Sequence, residues 1–384
     1  MKTILPGRTL GILGGGQLGR LLAQDARRMG YKTGVLDPAP NGPAAQVCDF
    51  HIQAPIDDAA AALKLAERCD ALTLEWELIP APLLDAVAKK KPLFPSARVL
   101  SVIQDRLAQK QFLAKEGFPQ ARFASAADAK ELSAAVADLG YPAILKRRRA
   151  GYDGKGQRRL EGEPDLPAAM DLLSAPCVLE EKIDFEREIS VVLARNEKGD
   201  VAFFPVALNE HEGGILILSS APAPVSETRA REAKDLAAAA ARALGHVGVM
   251  AVEMFVAKGG SLLINEIAPR VHNSGHYTLG ACAVSQFEQH WRAGLGLPLA
   301  ETALLSPVVM ANLLGDLWAD GAPNWEPLLQ NPAARLFLYG KDAPKPGRKM
   351  GHFLLLGGDA ESLRADAERI LRDMTSVSGP RAKA

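Results

Sequence analysis

The chain has 384 residues, of which 48% are apolar, 23% charged and 5% aromatic. That composition supports two or three cored domains and excludes a disordered chain or a small disulfide knot. Its 45 basic and 45 acidic side chains cancel, so no overall field draws it to nucleic acid or anionic lipid, and any polyanion must be met locally. Cys48, Cys69, Cys177 and Cys282 have no CxxC spacing, and nowhere do about 18 apolar residues run together. A cytoplasmic protein without a membrane span is expected.

In chain order, β-rich runs at 9–13, 32–36 and 71–74 alternate with helical stretches at 19–29 and 58–68, which predicts a parallel sheet built from βαβ units. Helices are expected over 104–116 and 127–139, and a strand over 142–146 after the breaker Gly140-Tyr141-Pro142. CVLEE, REISVVLAR, VAFFPVAL and GGILILS follow between 177 and 219 without crossover helices, the pattern of an antiparallel sheet. An Ala-rich helix over 226–244 then precedes strands at 247–256 and 261–266 that bracket Gly259-Gly260. PVVMANLLG, ARLFLYG, GHFLLLG and a helix over 361–372 close the chain as a small third domain.

Gly14-Gly15-Gly16-Gln17-Leu18-Gly19 follows the first strand and opens a helix. It fits GxGxxG, whose glycines admit an anion close to the backbone at a helix N-terminus. Asp37 ends the next strand, where a ribose-binding acid would sit, so this segment alone fits an NAD-dependent dehydrogenase or an ordinary packed turn. Further on, Lys146-Arg-Arg-Arg-Ala-Gly-Tyr-Asp-Gly-Lys-Gly156 joins a strand-end lysine to a basic loop with three glycines. Cations that neutralise phosphate oxygens, with glycine N–H groups free to converge on them, suit a triphosphate lid, although this is no Walker A loop. The competing reading is a solvated basic hairpin.

Acids on later strands favour the lid. Glu180 and Glu181 end one strand, Glu188 starts the next, and Glu253 and Glu266 lie on neighbouring strands. Two facing carboxylates and the phosphates of ATP make the oxygen shell that Mg²⁺ prefers. VMAVEMFVA surrounds Glu253 with apolar residues; it either faces solvent or turns inward, where a metal would offset its burial. Directly after Glu266 come Arg270, His272, Asn273, Ser274 and His276. The guanidinium fork suits a planar oxyanion, and the imidazoles either move protons or support the loop.

Together these stretches resemble the ATP-grasp ligases and, among them, the N5-carboxyaminoimidazole ribonucleotide synthetases of purine biosynthesis. GILGGGQLGR, LTLEWELIP, SVIQDRLAQKQFL, GYDGKGQ, EEKIDFEREISV, NEIAPRVHNSGHYT and GRKMGH carry the resemblance in family order over nearly the whole chain. It implies an α/β and α+β fold in three parts. These are a Rossmann-like domain over 1–98, an ATP-grasp region with two antiparallel sheets over 99–297, its lid about 120–185, and a small β-rich domain over 298–384. A homodimer is implied as well.

The implied reaction is carboxylation of 5-aminoimidazole ribonucleotide by bicarbonate and ATP through carboxyphosphate. Carried over by position, Arg106 and Lys146 hold ATP phosphates under the lid of Gly151, Tyr152, Asp153, Gly154, Lys155, Gly156 and Gln157. Glu180, Glu181, Lys182 and Ile183 meet the adenine, Glu188 the ribose, and His211 another part of the nucleotide. Glu253 and Glu266, with Asn265 beside them, take Mg²⁺ or Mn²⁺. Gln17, Leu18, Glu75, Asn273 and Ser274 surround the ribonucleotide, and Lys341, Arg348 and Lys349 its 5′-phosphate. Arg270 holds the bicarbonate-derived oxyanion, His272 or the departing phosphate takes the proton, and Tyr152 excludes water or orients bicarbonate. Arg147-Arg148-Arg149-Ala150 and Val271 depart from the family pattern. A formate-using transformylase of the same superfamily is the nearest rival, distinguished by the lid tyrosine and Asn273.

Overall fold

The computed structural model describes residues 2–151 and 154–375. Five short strands, β1 (Thr9–Leu13), β2 (Lys32–Asp37), β3 (Phe50–Gln53), β4 (Ala71–Leu74) and β5 (Leu93–Phe94), form a parallel sheet in the order β3-β2-β1-β4-β5. The predicted three strands are its centre. The two edge strands escaped sequence reading because β3 is partly exposed and β5 has only two residues.

A four-stranded antiparallel sheet follows, made of β6 (Phe123–Ala126), β7 (Ala143–Arg147), β8 (Gln157–Leu160) and β9 (Cys177–Glu181) in the order β6-β9-β7-β8. The chain then crosses into the large antiparallel sheet. Its strands are β10 (Phe185–Arg195), β11 (Val201–Phe203), β12 (Ala207–Glu212), β13 (Ile215–Ala221), β14 (Gly248–Ala257), β15 (Leu262–Ala268), β16 (Val308–Leu314), β17 (Ala334–Leu338) and β18 (Lys349–Leu356). The order is β15-β14-β10-β12-β13-β16-β18-β17, with β11 added on β10. β16 pairs with β13, so the C-terminal strands extend the central sheet and are not set apart from it.

Helix ends follow local chemistry. The Asp58 carboxylate accepts from Ala61 N to start helix Ala59–Arg68, and the Ser226 hydroxyl accepts from Arg229 N to start Glu227–Leu244. That long helix lays Ala233, Ala237, Ala240 and Ala241 on one face of the large sheet. On the other face, Val192, Ala194, Val249 and Ala251 meet Phe287 and Trp291 of helix Gln286–Gly294 and residues of the parallel sheet.

The seam between these sheets is polar at one point. His290 Nδ1 accepts from Val249 N at 2.9 Å, which leaves Nε2–H to donate to Thr73 Oγ1 at 2.7 Å. Thr73 passes its own proton to Phe94 O at 2.7 Å. Burial pushes the imidazole down to about 3, so it stays neutral and keeps this tautomer. The parallel sheet is thereby fixed against β14, the strand that bears Glu253.

Candidate active site

The glycine loop holds acids of the chain itself. Glu75, just beyond β4, sends its carboxylate into the loop, where it accepts from Gly16 N and, at 2.6 Å, from Gly19 N. Asp37 accepts from Gly15 N at 2.7 Å and from Ala39 N at 2.8 Å. Space, as well as backbone angle, demands glycine here: a Cβ on Gly14, at φ +102°, would lie 2.5 Å from Glu75 Cγ. Asp37 is therefore spent on the turn, which answers the dehydrogenase reading with a packing role. Gln17 Oε1 accepts from Lys341 Nζ at 2.6 Å, and the same ammonium donates to Lys349 O at 2.6 Å, so the loop is tied to the start of β18. Leu18, the next residue, is buried in the core.

Glu253 and Glu266 are register partners on β14 and β15. A bulge between Glu253 and Met254 leaves Asn265 without an opposite residue and turns this end of β15. Both acids are half-buried, so Glu253 does not take the solvent face. Enclosure pushes the Glu253 carboxyl up to about 7, with Glu266 and Glu188 adding to the rise against the pull of His211. His272 Nε2 lies 3.8 Å from its Oε1. Glu266 suffers desolvation too, but Arg106 Nη1 at 2.8 Å holds it below the usual carboxylate range.

Arg106 opens helix Arg106–Lys115, which Asp105 caps by accepting from Leu107 N at 3.0 Å and Ala108 N at 3.3 Å. Arg106 Nη2 also donates to Gly151 O at 3.2 Å, joining the lid base to β15. Lys146 Nζ, from β7, donates to Glu180 Oε2 at 3.0 Å. Despite burial, Lys146 and Lys110 hold Glu180 down to about 2. Glu181 ends β9, and Lys182 and Ile183 form the crossing between the small and large sheets. Glu188 on β10 lies 2.5 Å from His211 Nδ1 on β12, and this contact raises the imidazole against its desolvation.

The basic run does not act as one patch. Arg148 is taken by Asp105, at 2.7 Å from Nη2 and 2.9 Å from Nε, and Arg147 Nη2 donates to Ser174 Oγ at 3.1 Å. Lys146, paired with Glu180, is the candidate of that strand for phosphate. Of the lid, Tyr152 and Asp153 lie outside the described residues, Lys155 and Gly156 form the turn, and Gln157 begins β8 opposite Lys146. Gly154 rests on the β12–β13 turn so closely that a Cβ there would lie 2.3 Å from Gly213 O. The lid therefore reaches across the gap between the two antiparallel sheets.

Arg270 Nη2 pairs with Glu77 Oε1 at 2.7 Å, and Nη1 donates to Val271 O at 3.0 Å, so Val271 holds the guanidinium through its backbone. His272 Nδ1 accepts from Ser274 N at 3.3 Å, placing the ring proton on Nε2, toward Glu253. Desolvation and Arg270 push this imidazole well below its ordinary value. Asn273 exchanges amide hydrogen bonds with Asn312 at 2.7 and 3.1 Å. His276 is fully buried, with Nδ1 3.2 Å from Gln286 Nε2; it supports the loop. Arg348 lies at the β18 entry and donates to Ala343 O at 2.6 Å.

Residues 7–104 match the ribonucleotide synthetase preATP-grasp domain, 111–287 the ATP-grasp domain, and 308–366 the phosphoribosylaminoimidazole carboxylase C-terminal domain. The N5-carboxyaminoimidazole ribonucleotide synthase of Brucella melitensis is 46% identical over 355 residues, covering 91% of this chain and 97% of that one. The chain belongs to the N5-carboxyaminoimidazole ribonucleotide synthase family. The Bacillus subtilis synthase is 43% identical, with 92% and 93% of the two chains covered. A crystal structure of an N5-carboxyaminoimidazole ribonucleotide synthetase bound to ADP superposes with a TM-score of 0.92 at 43% identity, over 96% of this chain and 98% of that one. The Aspergillus clavatus synthase, crystallised with ADP and 5-aminoimidazole ribonucleotide, gives 0.88 at 34% identity over 96% and 98%. The three-part ATP-grasp architecture is thus that of the synthase family.

Sequence reading passed over three residues that bond to the candidate site residues or next to them. Lys110 reaches Glu180, Asn312 pairs with Asn273, and Gln109 Oε1 accepts from Ile267 N at 3.2 Å beside Glu266. The signal for Lys110 was available, since it stands four residues after Arg106 on one helix face. Asn312 lies in an apolar strand 39 residues from its partner, a separation no local pattern reports.

Proposed function

We propose that the site joins bicarbonate to the exocyclic amine of 5-aminoimidazole ribonucleotide, with ATP converted to ADP and phosphate, as an ATP-dependent ligase of purine biosynthesis. One observation carries the reading: Glu253 and Glu266 stand opposite each other on β14 and β15, with Arg106 at 2.8 Å from Glu266 and His272 at 3.8 Å from Glu253. The formate-using rival has the same fold, but the family match favours bicarbonate.

Among the described residues, no cluster of three or more His, Cys, Asp or Glu forms a closed cage for a metal ion. Glu253, lifted to about 7 by its enclosure and by the neighbouring Glu266 and Glu188, fits a cation whose remaining ligands come from nucleotide oxygens. Glu253, Glu266 and Asn265 would hold Mg²⁺ or Mn²⁺, which supplies charge neutralisation to the phosphates.

ATP phosphorylates bicarbonate to carboxyphosphate, since bicarbonate alone is a poor electrophile. Lys146 and Arg106 stabilise charge on the transferring phosphoryl group, and the lid of residues 151–157 shields the intermediate from water. Arg270, held by Glu77 and Val271, fixes the carboxylate oxygens. Nitrogen attack forms the C–N bond and releases phosphate. His272 holds its proton at Nε2 and resists a second, so the departing phosphate takes the amine proton. Glu180, Glu181, Lys182 and Ile183 meet the adenine, Glu188 the ribose, and His211 the nucleotide through Glu188. Gln17, Leu18, Glu75, Asn273 and Ser274 shape the ribonucleotide site, with Lys341, Arg348 and Lys349 at its phosphate end.

The division at 1–98, 99–297 and 298–384 is supported by the three domain matches. A homodimer follows from the family resemblance; light scattering at twice the chain mass supports it, and a monomer mass contradicts it. No helix among the described residues is long and apolar enough to cross a membrane. ADP release that requires both bicarbonate and the aminoimidazole nucleotide tests the reaction; release driven by formate and glycinamide ribonucleotide would overturn it.

A further inference from the structure

Glu180 Oε2 receives two ammonium groups, Lys146 Nζ and Lys110 Nζ, each at 3.0 Å. All three residues are buried, with relative exposures of 3% for Glu180, 3% for Lys110 and 9% for Lys146. Their geometry is unequal. Lys146 makes a directed hydrogen bond to the carboxylate, whereas Lys110 approaches at ion-pair distance without one. Lys146 sits on β7, which leads into the lid, and Lys110 sits deeper, on helix Arg106–Lys115.

A structural ion pair needs one cation. A second buried ammonium is costly unless something uses it, and this one shares its carboxylate with Lys146, the proposed phosphate ligand. We propose that Lys110 is a positioning residue, the resident counter-ion of Glu180, which frees Lys146 to leave that carboxylate for the phosphates of ATP. Without Lys110, the movement of Lys146 would strand a buried carboxylate, so Lys146 would stay where it is. With Lys110 in place, Glu180 keeps a cation in both states. Desolvation, opposed by Glu180, lowers the Lys110 ammonium from its ordinary value, the sign of a charge kept at a cost. Lys110 touches no substrate in this scheme.

The inference rests on Lys146 being a phosphate ligand, and the test separates the two claims. Lys146→Met that leaves the KM for ATP and the affinity for ADP unchanged removes that underlying reading. Lys110→Met, a swap of similar volume that leaves a neutral Lys146–Glu180 pair, is predicted to raise the KM for ATP and weaken ADP binding on the order of a hundredfold. The deciding comparison is the same substitution in a Glu180→Gln background. With no carboxylate to neutralise, Lys110→Met is predicted to change ATP and ADP affinity there by less than about twofold. Equal losses in both backgrounds mean that Lys110 acts by packing, and no loss in either means that Lys146 needs no relief; each overturns the proposal. If Lys110→Met does not fold, Lys110→Gln takes its place in the same cycle with the same expectations.

Discussion

Replacing Glu75 by alanine removes the carboxylate that the glycine loop is built around. Its two oxygens accept from Gly16 N and Gly19 N, the latter at 2.6 Å, and both donors lose their side-chain partner when it is cut back. Hydrogen bonds to an ionised group contribute about 1.5–3 kcal/mol each. Glu75→Ala is therefore predicted to lose about 3–6 kcal/mol of unfolding free energy from the N-terminal domain, and Glu75→Gln, which keeps one acceptor, about half as much. Urea unfolding followed by hydrogen exchange at the Gly16 and Gly19 amides measures both. An alanine variant within about 0.5 kcal/mol of the parent, with the two amides still protected, would refute a structural role for this acid.

Gly19→Ala would bring a Cβ to 2.6 Å from Gly14 O, a backbone atom that cannot turn aside; a loss of about 1–3 kcal/mol in urea unfolding is expected, and none would contradict the packing. Burial holds His246 at about 4 and His290 and His352 at about 3, while an unfolded imidazole titrates near 6.5. The unfolded chain thus binds more protons below pH 6.5, and their stabilising effect, full above that pH, falls by about 2 kcal/mol per ring at pH 5. His290→Leu should reduce the change in unfolding free energy between pH 7 and 5 by that amount, and an unchanged difference would count against it. Glu266→Gln should cut turnover on the order of 10³-fold while leaving the circular dichroism spectrum intact; activity near the parental level would reject its place in the site.

Much of this architecture was written in local pattern. The alternation 9–74 forms the centre of the parallel sheet, and the strands of 177–219 are antiparallel as their pattern says, because period and turn residues are local signals, but Cys177–Glu181 joins the small sheet and the others the large one, a division no local signal reports. The fusion of β16 and β18 onto that sheet was not legible, since the pairing of Leu218 with Ala311 spans 93 residues. At the site, Glu253 and Glu266 could be paired from the hairpin between them. The triple Arg147-Arg148-Arg149 could not be sorted in advance, because Asp105, which takes Arg148, comes from a helix cap 43 residues earlier. The sequence left His276 open between proton transfer and loop support, and its burial against Phe287 and His352 decides for support.

The central claim is that Glu253, Glu266, Arg106 and Lys146 form one phosphoryl-transfer site serving bicarbonate. Transfer of ¹⁸O from labelled bicarbonate into released phosphate tests it most directly, because carboxyphosphate formation leaves one bicarbonate oxygen on phosphorus. The account predicts one labelled oxygen per phosphate with the wild-type chain, in step with ADP release. Phosphate released at the full rate without the label would show that water takes the phosphoryl group, and would contradict it.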